Sequence, residues 1–255
     1  MEKIKGKNAI EKIIKLAYIS AFLKDEKPLS LLIVAPPEQS KSHYILKFKT
    51  KYSHLTTDLS YMGLIKLLTE NKNLKHIVIP DFLKVTEKNQ STKKNLISSL
   101  NAYLEEGIFE ISLANREKID LKGKSGGIIT ATTEQSFFQN AKNWNAIGFK
   151  SRFLPVSWRY SDETMQKVIN KITAEESTKN TKSKPITYKQ EKINIQPEIY
   201  EKLQQFAELS PRKLKNLKVL AKSLALYNNK KSVGIKEIKE IEQLNEYINL
   251  RFKEI

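Results

Sequence analysis

The sequence contains no cysteine. Disulfides, thiolate metal centres and a cysteine nucleophile are therefore excluded. Histidine is scarce as well. His43, His54 and His76 are the only three, with no HxH or HxxxH spacing, which argues against a zinc site. No apolar run approaches the ~18 residues that a membrane-crossing helix needs. The amino-terminal stretch MEKIKGKNAIEKIIKLAYISAF is charged and then amphipathic, and it lacks a small-residue cleavage site. A secretory signal is not expected, and the expected location is the cytoplasm, with no membrane partner. Glycine is sparse too, eight in 255 residues.

What is present is core-forming sequence and positive charge. Hydrophobic residues make up 40% of the chain, enough for a packed core. The net charge of +17 suits a polyanionic partner, with nucleic acid the first candidate. The lysines are scattered, so compositional bias is the competing explanation. Residues 195–255 hold 12 basic and 8 acidic side chains, which leaves most of the excess on the part before them.

Hydrophobic periodicity switches repeatedly between 3.6 and short buried runs. Helices are expected over 8–23, 42–50, 61–68, 92–105, 134–142 and 161–174, and strands over 31–34, 55–58, 77–79, 127–131 and 153–156. This alternation predicts an α/β fold, three-layered around a mostly parallel sheet. The Ser/Thr/Lys-rich stretch from Thr173 to Lys192 reads as a linker, followed by helices over 197–209, 212–227 and 235–252. The expected organisation is an α/β body (1–173), a linker (174–194) and a small all-α unit (195–255).

One stretch, LLIVAPPEQSKSHYILKF (31–48), has the order of a phosphate-binding loop: apolar strand, turn, then Lys-Ser opening a helix. The turn Pro36, Pro37, Glu38, Gln39 and Ser40 would wrap the phosphates, with the backbone N–H groups from Glu38 to the helix start facing the phosphate oxygens. Lys41 would neutralise them and the Ser42 hydroxyl would ligate Mg²⁺. Ala35 and Ser40 stand where glycines are usual, and Glu38 must point away from an anion. An ordinary strand–turn–helix with a solvated lysine is the alternative.

Four later segments occur in the order seen in AAA+ ATPases. HIVIPDFLKV resembles a Walker B strand. LNAYLEEGIFEISLANREKIDLKGKSGGIITATT is similar to the helix, β-hairpin and sensor-1 strand of minichromosome-maintenance helicases, magnesium chelatases and enhancer-binding ATPases. GFKSRFLPVSW resembles the arginine-finger segment of the helicases, and SPRKLKNLKVLAKSLALYNNKKSVGIKEIKEIEQL resembles their lid. The resemblance covers roughly residues 8–250 and implies a P-loop AAA+ domain with worn Walker motifs, which binds ATP and Mg²⁺ at subunit interfaces of a homo-oligomeric ring and acts on DNA more readily than RNA, in the manner of a replication helicase or loader.

It implies roles residue by residue. Asp81 is the Walker B acid in one of two registers. Either it is the metal-side aspartate, with Phe82 at the glutamate position, or Pro80 replaces that aspartate and Asp81 the glutamate. The second register also aligns Phe82 and Lys84 and is preferred. Thr133 stands at sensor 1, Arg152 is the finger, and Arg212 is sensor 2, folding the lid onto the nucleotide. The hairpin would present Arg116, Lys118, Lys122 and Lys124 to DNA phosphates. DNA-stimulated ATP hydrolysis is the implied activity. The single acid favours a second reading, a pseudo-ATPase that binds nucleotide or serves as an oligomerising, DNA-holding module. The GAFTGA motif of enhancer-binding ATPases is absent.

Overall fold

The structure, a computed structural model, describes residues 6–112, 118–173 and 183–255. Helix α1 (Lys7–Ile19) precedes strand β1 (Leu31–Val34), which is followed by α2 (Lys41–Leu46), β2 (Phe48–Lys49), β3 (Ser53–Leu55) and α3 (Tyr61–Glu70). Next come β4 (His76–Ile79), α4 (Leu83–Thr86), α5 (Gln90–Leu104), the hairpin β5 (Ile108–Ser112) and β6 (Lys118–Lys124), β7 (Gly127–Thr132), α6 (Glu134–Ala146), β8 (Leu154–Arg159) and α7 (Asp162–Thr173). The remainder holds β9 (Lys184–Pro185), β10 (Asn194–Ile195), α8 (Pro197–Ala207), α9 (Pro211–Tyr227), β11 (Ser232–Val233), α10 (Ile235–Asn245) and β12 (Lys253–Glu254).

Six strands form one sheet in the order β12-β8-β1-β7-β4-β3, with every neighbouring pair parallel. Parallel strands are covered on both faces, so their sequences are apolar throughout rather than alternating. Along β1, Leu31 and Ile33 enter a core shared with α1 and α8–α10. Leu32 and Val34 enter a second core shared with α3, α5 and α6. The molecule is thus helix–sheet–helix, the expected α/β architecture.

Several boundaries differ from the sequence reading. The helix expected over 42–50 stops at Leu46, because Phe48 leaves to pair with Lys184. The strand expected at 55–58 lies at 53–55. The described part of the linker is packed: Lys184–Pro185 pairs with β2, Glu191 bridges Leu23, and Ile186 and Ile193 are buried. The last helix ends at Asn245, not 252, and the chain returns to the body as β12 at the sheet edge. Residues 195–255 also share one hydrophobic core with α1 and the sheet.

Helix α1 explains how that core joins the two parts. Ile10, Ile13, Ile14, Ala17 and Tyr18 form the face read from periodicity, but Ala9, Leu16 and Ile19 are buried as well. A helix apolar on more than one side lies between layers.

Candidate nucleotide site

Val34 of β1 lies beside Thr132 of β7, and Ile79 of β4 beside Thr130. The three strands end at nearly one level, so the segments leaving them, 35–42, 80–83 and 133–136, crowd the carboxy-terminal edge of the sheet. That is where open parallel sheets bind ligands.

The 35–42 loop is tightly bent. Glu38 (φ 64°) and Ser40 (φ 55°) both occupy the left-handed region, while Ala35 does not. Ser40 thus holds, without glycine, the conformation that glycine would supply at that motif position, at ~1–2 kcal/mol of local strain. Glu38 is exposed, away from the loop interior. Gln39 is buried, and its Oε1 accepts the backbone N–H of Tyr160, tying the loop to the end of β8. Pro36 and Pro37 set the turn and offer no N–H.

Lys41 Nζ folds back into the loop, donating to Ala35 O at 2.9 Å and Pro36 O at 2.6 Å. Burial pulls its pKa below the ordinary lysine value, and the Asp81 carboxylate raises it part of the way back. Lys41 and Asp81 therefore share one electrostatic environment. Ser42 Oγ donates to Pro80 O at 3.3 Å. The residue facing the Ser42 hydroxyl is Pro80, and Phe82 is fully buried, stacked on Phe149 with ring centroids 5.8 Å apart.

Asp81 is exposed, and its Oδ1 accepts Leu83 N–H at 3.0 Å, capping the start of α4. Thr133 caps α6, its Oγ1 accepting Ser136 N–H at 3.2 Å. Two neighbouring buried hydroxyls, Thr132 Oγ1 and Ser136 Oγ, have no hydrogen-bond partner. Nucleotide-bound Mg²⁺ rests on one or two protein oxygens plus phosphates and water. The Ser42 hydroxyl and Asp81 carboxylate fit that limited donor set. Among the described residues no cluster of three or more His, Cys, Asp or Glu offers a metal site independent of a nucleotide.

The two arginines lie elsewhere. Leu154 N donates to Ser30 O at 2.8 Å, which puts Arg152 at the edge where β1 and β8 begin, opposite the loop. Arg212 is there too. Its Nη2 meets Glu105 Oε2 at 3.0 Å and its Nη1 donates to Ser151 Oγ at 2.6 Å, while Arg152 Nη2 meets the same Glu105 oxygen at 2.8 Å. Arg212, expected to fold the lid onto a nucleotide, is thus placed at the opposite edge of the sheet from Lys41 and Ser42. Helix α9 lies along α1, with Lys218 and Lys222 both paired to Glu26, and its first turn is fixed at the far edge. Glu105 was not singled out in the sequence, although two acids at a helix carboxy terminus, where the dipole disfavours them, were a signal.

The expected DNA contacts divide. Arg116 lies outside the described residues. Lys118 pairs with Glu110 at 3.0 Å, and Lys122 is exposed. Lys124 is corrected: its Nζ donates to Leu68 O and to Asn71 O, carbonyls at the end of α3, and burial lowers its pKa. It is a helix-end cation, not a free phosphate contact. A bulge between Ile108 and Glu110 also turns Phe109 outward, where its ring lies over Gly123 and leaves no room for a Cβ. Ile108, not Phe109, is the buried residue.

A cavity of about 890 Å³ lies between Phe153–Pro155 and the 245–251 segment. Among the described residues no helix is long and apolar enough to cross a membrane. No family model matches the chain, and no curated protein matches it.

Proposed function

We propose that the chain is an AAA+-type ATP-binding protein that assembles with further copies around nucleotide, acts on nucleic acid, DNA rather than RNA, and turns ATP over slowly. The observation that supports it most is the 35–42 loop. A lysine ammonium sits on the loop's own carbonyls at 2.9 and 2.6 Å, next to a serine hydroxyl, at the carboxy-terminal edge of a central parallel strand. An arriving phosphate would replace those two neutral carbonyl acceptors with anionic ones. The order β8-β1-β7-β4-β3, with the loop strand central, supports the same reading.

When bound, ATP supplies a labile terminal phosphoryl group and Mg²⁺ neutralises part of its charge. Lys41 would hold the phosphates, Ser42 the metal, Asp81 the attacking water, and Thr133 would orient it. Arg152 and Arg212, at the opposite edge, would meet nucleotide on a neighbouring copy rather than their own.

The second reading, nucleotide binding without turnover, is favoured by Pro80. The Ser42 hydroxyl faces a carbonyl where a second carboxylate would stand, and one acid is left for both metal and water. An ATPase assay with and without single- and double-stranded DNA, on wild type, Lys41→Ala and Asp81→Asn, separates the two. We expect turnover below about 1 s⁻¹, the low end of the enzyme range, lost in both variants. Binding with no turnover selects the second reading. If ATP and ADP at millimolar concentration leave the melting temperature unchanged, both readings fail.

A further inference from the structure

Residues 152 and 212 are sixty positions apart in sequence, yet their guanidinium groups converge on one carboxylate. Glu105 Oε2 is 2.8 Å from Arg152 Nη2 and 3.0 Å from Arg212 Nη2, and Oε1 is 3.3 Å from the latter. Ser151 Oγ holds the second arm of Arg212 and donates to Gly148 O at 2.9 Å. Arg152 Nη1 is held by the Gly148 carbonyl. Gly148 has φ +67°, a conformation that suits glycine, and a Cβ there would lie 2.9 Å from Arg152 Nη1, so a larger residue would displace that fork. A cavity of about 340 Å³ opens beside the group, its wall carrying Lys27, Lys215 and Lys218 and also Asp25 and Glu26, the last paired with Lys218.

The local charge does not balance. Two guanidinium groups carry +2 against the single negative charge of Glu105. Arg152 Nε is buried with no hydrogen-bond partner, one donor more than the two carboxylate oxygens satisfy. A phosphoryl group carries more charge and three terminal oxygens, and it binds guanidinium forks by the same parallel geometry as a carboxylate.

We propose that Glu105 is a built-in phosphate surrogate. It masks a second phosphoryl seat, made by Arg152, Arg212 and Ser151, in the isolated chain, and the terminal phosphate of a nucleotide held on a second copy displaces it. The identity of that displacing phosphate rests on the functional reading above; the masked seat itself does not. Glu105 is a positioning residue, acting through the two arginines. Removing its charge unmasks the seat, whereas a merely structural ion pair would leave no new anion affinity behind.

The test uses inorganic pyrophosphate as probe in the Lys41→Ala background, which removes the loop site. Lys41→Ala alone should show no pyrophosphate-dependent rise in melting temperature. Lys41→Ala with Glu105→Gln should gain one of several degrees at millimolar probe, and adding Arg152→Ala should abolish it. In sedimentation with a slowly hydrolysed ATP analogue, Glu105→Gln alone should assemble at about tenfold lower concentration than wild type, the scale of one charge-assisted bond. If Gln is poorly tolerated, Glu105→Asp, which keeps the charge but draws it back by one methylene, should show the same gain in smaller measure. No probe response in either Glu105 variant, or an equal response with Glu105 intact, overturns the proposal. A wild type that ignores ATP while the double variant answers pyrophosphate overturns the loop reading and leaves the masked seat standing.

Discussion

Ser40 holds a backbone angle that glycine adopts freely and serine does not, and the loop's shape depends on it. Replacing it with glycine removes ~1–2 kcal/mol of strain but gives back ~0.4–1 kcal/mol through a freer unfolded chain, so Ser40→Gly should raise stability by no more than about 1.5 kcal/mol. A β-branched side chain has no such escape. Ser40→Val should lower stability by ~2 kcal/mol in urea unfolding, and an unchanged midpoint would mean that the left-handed turn does not form. His76 makes a separate prediction. It is fully buried at the start of β4, with Nε2 3.1 Å from Leu29 O, and burial lowers its pKa from 6.5 to about 4. The folded protein therefore binds fewer protons than the unfolded chain between those values. Stability is intact above pH 6.5 and declines as pH falls towards 4, by up to ~3 kcal/mol. Unfolding measured at pH 7, 5.5 and 4.5 should show this decline, and His76→Leu should flatten it.

Elements were legible where one physical signal dominated. Leu31–Val34 and the 77–79 and 127–131 runs read as buried strands because parallel strands are apolar on both faces and turn residues bound them. Residues 42–50 misled because Lys41–Leu46 is helical in pattern and nothing local announces that Phe48 pairs with a segment more than 130 residues later. The 183–193 stretch is polar in composition, yet Ile186 and Ile193 anchor it, a signal too thin for a window average. The two-residue pairing of β12 with β8 has no periodicity at all. In the hairpin a bulge between Ile108 and Glu110, which nothing in the sequence announces, leaves Phe109 exposed beside buried Ile108 and Ile111. Lys124 follows from this scale. As a cation on the last carbonyls of α3, it should contribute ~1 kcal/mol to stability and nothing to nucleic-acid affinity. Lys124→Met is expected to lower the melting temperature and leave oligonucleotide binding unchanged, while Lys122→Ala does the reverse. Lys124→Met weakening binding without destabilising would restore the lysine to the interface.

For the whole molecule, the site was legible in part. The loop, Asp81 and Thr133 meet at one edge because strand order brings three strand ends together, which motif order implied. The far-edge grouping of Arg152, Arg212 and Glu105 depends on how α9 lies along α1, a packing choice no motif encodes. On the proposed function, the loop at one edge and the arginine pair at the other would each be completed only when copies meet. Assembly should therefore depend on nucleotide. Nucleic-acid affinity, resting on scattered lysines, should fall steeply and linearly in log salt. Sedimentation with and without Mg-ATP, and oligonucleotide anisotropy across 50–200 mM salt, check the pair of expectations.

The loop itself is tested most directly by equilibrium titration of Mg-ATP into wild type and Lys41→Ala, with both confirmed folded by their melting transitions. Saturable binding to wild type, weakened at least about tenfold when the lysine ammonium is removed, is the predicted result. Equal affinity in the two proteins, or no heat of binding at millimolar nucleotide, would contradict it.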